Sequence, residues 1–311
     1  MDLFGETTGA KPFLKWAGGK RQLILAIQAV LPSTLAQETD LTYVEPFIGG
    51  GAVLFWMLQA YPNIRRAIIN DINPDLTTAY RVVQQQPEEL IRALSAVQEQ
   101  YYGLSTEEAR RTYYEAMRAE FNIRPLEPLR NTVVLIFLNR TCFNGLYRVN
   151  SKGGFNVPFG KHERPTICHA EAIRADSALL ARVTILNGDF AEVLPLVPAN
   201  SLFYFDPPYK PLSKTASFNA YATETFDDTS QHRLAAVCRT LDTQGHRWLL
   251  SNSDLQNTEA GNTYFDELYA GFAVQRIAAK RMINSKADGR GSISELLINN
   301  YSPVADLQVA Y

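Results

Sequence analysis

Residues 201–213 read SLFYFDPPYKPLS, so a strand-like apolar run ends on Asp206, two prolines and Tyr209. A carboxylate, a fixed carbonyl and an aromatic ring in that order can grip a flat ring that bears an amine. Such an amine is a poor nucleophile, because its lone pair is delocalised into the ring. Two acceptors placed on its hydrogens, out of the ring plane, favour a tetrahedral nitrogen and free the pair. Asp206 can supply one acceptor. The Pro207 carbonyl can supply the other, in a direction set by the locked dihedrals of Pro207 and Pro208. Tyr209 can stack on the ring. Attack on a sulfonium methyl needs this kind of positioning, not an acid. A plain strand followed by a Pro-Pro turn would use the same residues, so the tetrapeptide needs a partner motif.

The partner lies in YVEPFIGGGAVLF, residues 43–55. A strand runs to Phe47, and Gly49, Gly50 and Gly51 lead into a helix. Glycines there let backbone approach a ligand beside a helix N-terminus. The turn alone fits a nicotinamide, a flavin, S-adenosylmethionine or a tight bend. Downstream, Asp71 ends the next strand in AIINDIN. An acid at that place, about twenty residues on, can hold the ribose hydroxyls of an adenosine-type cofactor. It can equally be a turn-forming Asp in N-D-I-N-P. WAGGKR is not a phosphate-binding loop, since Leu14 and Arg21 stand where a glycine and a hydroxyl residue are required.

The elements that must carry these motifs alternate. Short apolar, β-branched runs predict strands at 42–46, 67–70, 183–186, 202–206, 248–251, 274–278 and 296–299. Several are apolar on both faces, as in a covered parallel sheet. Helical stretches at 52–60 and 229–240 complete βαβ units. The expected fold is α/β, an open doubly wound sheet with ligands at the carboxyl ends of its strands. The alternation breaks between residues 81 and 165, where 88–100, 106–121 and 132–139 carry apolar residues at helical spacing. The segment CFNGLYRVNSKGGFNVPFGKH then predicts a β-hairpin, with glycine-bearing turns around alternating residues. The division expected is a catalytic domain, 1–80 plus 166–311, with a helical insertion at 81–165.

At 311 residues and 46% hydrophobic, the chain can bury a large core. No apolar run is long enough to span a bilayer, and MDLFGETTGAK lacks the pattern of a signal peptide. The cysteines Cys142, Cys168 and Cys238 are widely spaced and odd in number, which argues for a reducing cytoplasm and against a disulfide framework or a metal site. The net charge of −2 disfavours nucleic acid, yet the distribution does not. Basic residues crowd three stretches: Lys11 to Arg21, Arg140 to Arg164 and Arg276 to Arg290. They form either one basic cleft or ordinary solvated surface.

FLKWAGGKR, VEPFIGGG, INDINPDL, LNRTCFNGLYRVNSKGGFNVPFG and FYFDPPY together resemble the Dam-type DNA adenine methyltransferases, over nearly the whole chain. The order of glycine motif, insertion and Asp-Pro-Pro-Tyr is that of the family's alpha arrangement. The resemblance implies a class I S-adenosylmethionine-dependent methyltransferase fold with an inserted, mainly helical target-recognition domain. It implies a monomer that acts on double-stranded DNA, flips an adenine out of the duplex and methylates it within GATC. Asp206 and the Pro207 carbonyl would hold the amine. Trp16, Lys20, Phe47, Gly49, Gly51, Asp71, Asp189, Phe190 and Asp206 would line the cofactor site, with Trp16 on the cofactor adenine and Asp71 on its ribose. Lys15, Phe143, Asn144, Leu146, Arg148, Pro158 and His162 would meet DNA, with Arg148 donating to guanine in the major groove. His162 stands where some relatives carry a tyrosine. The loop NSKADGRGS, 284–292, suits phosphate contact or plain solvation. Three alternatives remain: the same chemistry on RNA or another DNA sequence, an inactive DNA-binding regulator, and a nicotinamide oxidoreductase. No hydride-transfer constellation accompanies the glycines to support the last.

Overall fold

The computed structural model describes residues 9–16, 18–209, 226–280 and 292–301. Within these, seven strands make one sheet: β1 (Thr42–Glu45), β2 (Arg66–Ile69), β3 (Val183–Ile185), β4 (Ser201–Phe205), β5 (Arg247–Ser253), β6 (Ala273–Lys280) and β7 (Ser292–Asn299). Their spatial order is β3-β2-β1-β4-β5-β7-β6. The first five are parallel to one another, and β7 runs antiparallel to both β5 and β6. Chain order reverses between β1 and β4, and the carboxyl ends of those two strands frame the crevice where such a sheet takes its ligand. This is the doubly wound α/β fold of a class I S-adenosylmethionine-dependent methyltransferase.

The helices are α1 (Ile24–Val30), α2 (Ala52–Ala60), α3 (Pro74–Gln85), α4 (Pro87–Tyr102), α5 (Glu107–Asn122), α6 (Pro128–Thr141), α7 (Ala170–Leu180), α8 (Asp228–Thr243) and the short α9 (Tyr264–Leu268). Each strand sends alternate residues to opposite faces. Tyr43, Leu202, Tyr204, Leu249 and Leu297 enter one core, with Leu54 and Tyr80. Val44, Phe203, Phe205, Leu250 and Ile298 enter the other, with Leu234 and Leu268.

Helix α3 is absent from the sequence reading, because its start, N-D-I-N-P, also spells a turn. Asn73 resolves the ambiguity: its side chain accepts from the amides of Asp75 and Leu76, and Pro74 takes the first helical position. Helix α3 runs through residues 80 and 81, and the core beneath the sheet continues without a gap into α4, α5 and α6 through Leu94, Tyr114 and Phe137. The segment expected to form a hairpin doubles back antiparallel, yet it is pinned by two isolated bridges, Cys142 to Phe159 and Val149 to Phe155, with no continuous ladder. Asn144 and Gly145 both take positive φ there, which bends the strand that the alternation predicts.

Candidate active site

Strand parity places four polar residues on one face at one end of the sheet. Glu45 follows Tyr43, Asp206 follows Tyr204 and Ser251 follows Leu249, each two residues further toward the carboxyl edge. Because β7 runs the other way, Glu295 reaches the same edge from Leu297, opposite Ser253 of β5. Lys20 arrives from the short 3₁₀ turn Lys20–Leu23. It is only 5% exposed, and its Nζ lies 3.1 Å from Asp206 Oδ1 and 3.5 Å from Glu295 Oε2. The same ammonium sits 4.0 Å from the centroid of the Tyr209 ring and is hydrogen-bonded to the Tyr209 hydroxyl. That hydroxyl donates to Glu295 Oε2 at 2.6 Å. Ser251 Oγ donates to Asp206 Oδ1 at 3.1 Å and meets the Tyr204 hydroxyl at 2.9 Å.

Burial pushes the Asp206 carboxyl above the usual carboxylate range, and the charge and hydrogen bond of Lys20, with that of Ser251, pull it back. Burial also raises Glu45 well above that range, against the hydrogen bond it accepts from the Tyr43 hydroxyl at 2.8 Å. Burial likewise raises Tyr209, reinforced by the carboxylates of Asp206 and Glu295, so its hydroxyl is a donor throughout the working pH range.

The glycine turn is stitched to the end of β2 and to α3, whose Tyr80 hydroxyl donates to Gly49 O at 3.1 Å. Ile48 N donates to Asn70 O at 2.9 Å, and Gly49 N donates to Asp71 Oδ2 at 3.1 Å. Asp71 Oδ1 accepts from Asn73 N at 2.9 Å. Each oxygen keeps a further lone pair for a ligand. Burial raises the Asp71 carboxyl, offset by these amides. Gly51 has φ +73 and caps α2, and a Cβ there would collide with the Tyr80 hydroxyl. A Cβ on Gly50 would stand 3.0 Å from Trp16 Cβ, so the loop and the indole need the glycines to lie together. Trp16 stacks on Tyr147 at 5.0 Å, and the Tyr147 hydroxyl donates at 2.9 Å to Asp75, which also pairs with Arg124. Phe47 stacks on Phe190 at 5.2 Å. Both Asp189 oxygens are engaged, one by Ala191 N and one by Arg233, whose guanidinium covers Phe190.

The D12 class N6 adenine-specific DNA methyltransferase family matches residues 16–283. Three relatives extend the match. A type II methyltransferase, M.MjaIII, of Methanocaldococcus jannaschii is 46% identical over 94% of this chain and 99% of its own. The type II methyltransferase M1.LlaDCHI of Lactococcus lactis is 36% identical over 94% and 95%. A DNA adenine methylase of Vibrio cholerae is 34% identical over 92% and 95%. The chain belongs to the D12 class of adenine-specific DNA methyltransferases. The Asp206 cluster and the glycine turn therefore stand at the carboxyl edge of an adenine-methylating enzyme.

The D12 chain brings its predicted DNA-facing residues together beside that edge. Lys15 is exposed, and its side chain lies over Gly145, where a Cβ would strike it. Asn139 joins the two segments: its Oδ1 accepts Lys15 N at 2.8 Å, and its Nδ2 donates to Lys15 O and Gly145 O, each at 2.9 Å. Phe143, 53% exposed, donates its amide to Pro158 O at 2.9 Å. Asn144, Pro158 and His162 are exposed as well. Leu146 is half-buried. Arg148 is half-buried and its guanidinium is held by Asn156, Nε donating to Oδ1 at 2.7 Å and a terminal nitrogen to the carbonyl at 3.2 Å.

Among the described residues, three of the basic side chains in these stretches are matched by acids. Lys20 is buried in the active site, Lys161 pairs with Glu107, and Arg276 is bound by Asp254 and Asp266. The loop 284–292 lies outside the described residues but for its last position. Sequence reasoning missed Glu295, Ser251, Asn139 and Tyr147. A lone acid beside the apolar run Leu296–Ile298 was the available signal for Glu295. Nothing local marked the other three. Among the described residues, no helix is long and apolar enough to cross a membrane.

Proposed function

We propose that this D12 enzyme transfers a methyl group from S-adenosylmethionine to the exocyclic amine of an adenine flipped out of double-stranded DNA, and that its target is GATC. The observation that carries the reading is Asp206, which ends β4 beside the glycine turn with its carboxylate held through one oxygen by Lys20 and Ser251. The residues present fit the cofactor, because the Asp71 carboxylate keeps acceptor capacity beside a backbone loop in which a Cβ on Gly51 would strike the Tyr80 hydroxyl and one on Gly50 would press on Trp16. Asp71 would take the ribose hydroxyls. Trp16, backed by Tyr147, would offer its remaining face to the purine, with Phe47, Phe190 and the backbone of Gly49–Gly51 closing the pocket. S-adenosylmethionine supplies an electrophilic methyl on a sulfonium.

Asp206 and the Pro207 carbonyl accept the two amine hydrogens and tilt them out of the ring plane, while Tyr209 stacks on the base. The Lys20 ammonium offsets part of the cost of burying the Asp206 carboxylate, which takes the hydrogen bond and carries the amine proton toward solvent after transfer. Segment 81–165 serves as the recognition unit: Arg148 reads guanine, Phe143, Asn144 and Leu146 pack on bases or backbone, and Lys15, Pro158 and His162 flank them. The type II names of two relatives favour a partnership with a restriction enzyme, in the cytoplasm where the DNA lies.

The test is expression in a host without adenine methylation, followed by single-molecule mapping of modified bases. Methyl-adenine at every GATC is the expected result. Methyl-adenine at another motif discards the target and keeps the chemistry. An unmodified genome, from protein that binds the cofactor, overturns the reading.

A further inference from the structure

Glu295 is a charged neighbour of Lys20 and Tyr209 to which the reaction as described gives no part. It sits on β7 in register with Ser253, so its backbone is fixed by a strand. Its Oε2 receives two donors, the Tyr209 hydroxyl at 2.6 Å and the Lys20 ammonium at 3.5 Å. On the other side of the same ammonium, Asp206 is engaged through Oδ1 by Lys20 and by Ser251, both at 3.1 Å. Among the described residues, no hydrogen bond falls on Asp206 Oδ2. One ammonium is therefore shared between two carboxylates, with a base-stacking ring clamped against the second.

Without Glu295, the whole of the Lys20 charge would fall on Asp206, and the carboxylate would turn to embrace it. That would compete with an incoming amine for the oxygen the amine needs. The Tyr209 ring would also lose the anchor that fixes its plane. We infer that Glu295 is a positioning residue for the adenine pocket, dividing the Lys20 ammonium with Asp206 and holding the Tyr209 hydroxyl so that one Asp206 oxygen stays open to the target amine. The identity of that amine rests on the proposed function; the cluster itself does not.

The test is a cycle of Glu295→Gln, Lys20→Met and the double variant in the full chain. Glutamine keeps the size and an acceptor for Tyr209, and removes the charge that draws Lys20. Single-turnover methylation of a duplex should slow about tenfold in Glu295→Gln, with the KM for DNA and cofactor within about twofold of wild type. The double variant should be no slower than Lys20→Met alone, because the effect runs through Lys20. An unchanged rate in Glu295→Gln, or losses that multiply in the double variant, overturns the inference. Should Glu295→Gln not fold, Glu295→Asp withdraws the carboxylate from both donors, and a wild-type rate there overturns it equally. A second readout does not depend on turnover: competitive acetylation of Lys20 by acetic anhydride, followed by mass spectrometry. Lys20 should label several-fold faster in Glu295→Gln, having lost an anionic partner, and equal labelling removes the shared ammonium. If wild type makes no methyl-adenine, the proposed function fails while the labelling ratio still decides the role of Glu295.

Discussion

At the carboxyl edge of the sheet, Asp206, Lys20 and Glu295 meet as side-chain charges held by short contacts, while the segment 142–162 has main-chain groups gripped by side chains of the neighbouring helices. Asn139 captures Gly145 O, Tyr114 captures Val157 O, Asn122 binds both the amide and the carbonyl of Phe155, and Tyr101 captures His162 O. Interior side chains thus grip main-chain groups, and Phe143, Asn144, Pro158 and His162 remain at the surface. The difference teaches how one chain meets two opposed demands. Chemistry on an amine needs fixed charges with little water around them, where each interaction is strong and each charge must be matched. Reading a duplex needs side chains presented outward, on a frame that does not spend them.

The largest effect that would break this contrast is at Asp206. Asp206→Ala should abolish methyl transfer, by three orders of magnitude or about 4 kcal/mol, and leave duplex binding near wild type in a gel-shift titration. Substantial turnover would mean that the buried charges are structural only. Asn139→Ala should cost stability, since three backbone partners of the recognition frame lose their only side-chain link to α6. A loss of about 2–4 kcal/mol in denaturant unfolding is expected; a cost below about 0.5 kcal/mol would show that the frame stands by other means.

Asp176 sharpens the contrast from a third place, as a fully buried carboxyl with no ion pair among the described residues, offset only by the amide and the more distant charge of Lys11. Its Oδ1 accepts Lys11 N at 2.9 Å, and Oδ2 has no partner. Burial pushes it up to about 8, with the Lys11 amide offsetting only part. The folded protein then holds a proton that the unfolded chain releases near the ordinary carboxylate value of about 4. Stability is complete below that value and falls as pH rises toward 8. Asp176→Asn removes the slope, so between pH 5 and 8 the stability difference should move in favour of the variant by about 1–3 kcal/mol. Parallel pH profiles for the two proteins would refute this. Arg148→Ala carries the smallest effect: discrimination at one base pair should relax by about 1–2 kcal/mol while other positions keep their preference. Equal weakening on all sequences would make Arg148 a phosphate contact.

Much of the catalytic half was legible before any coordinates. Short apolar runs and βαβ alternation gave the strands within a residue or two, except for the start of β7, because a strand buried on both faces leaves a continuous apolar signal. Helix α2 matches its expected span of Ala52–Ala60. Helices α1, α3 and α7 were not legible, since α1 has only seven residues and α3 and α7 begin on residues that also suit turns. The hairpin signal was legible as a reversal but not as a ladder, because positive φ at Asn144 and Gly145 depends on what packs around them.

By itself, the sequence determined the tetrapeptide at the end of β4, the glycine turn after β1 and the acid after β2. Each is a local pattern in which residue type and backbone conformation are tied together. Tertiary structure alone decided which charges meet. Glu295 lies 89 residues beyond Asp206 and comes to it because an antiparallel β7 delivers its residues to the carboxyl edge in reverse order. Lys20, which the resemblance places at the cofactor, is drawn between two carboxylates, because parity and register place both on the face it enters. Charge pairing acts through space at a few ångströms, and only the folded sheet fixes those distances.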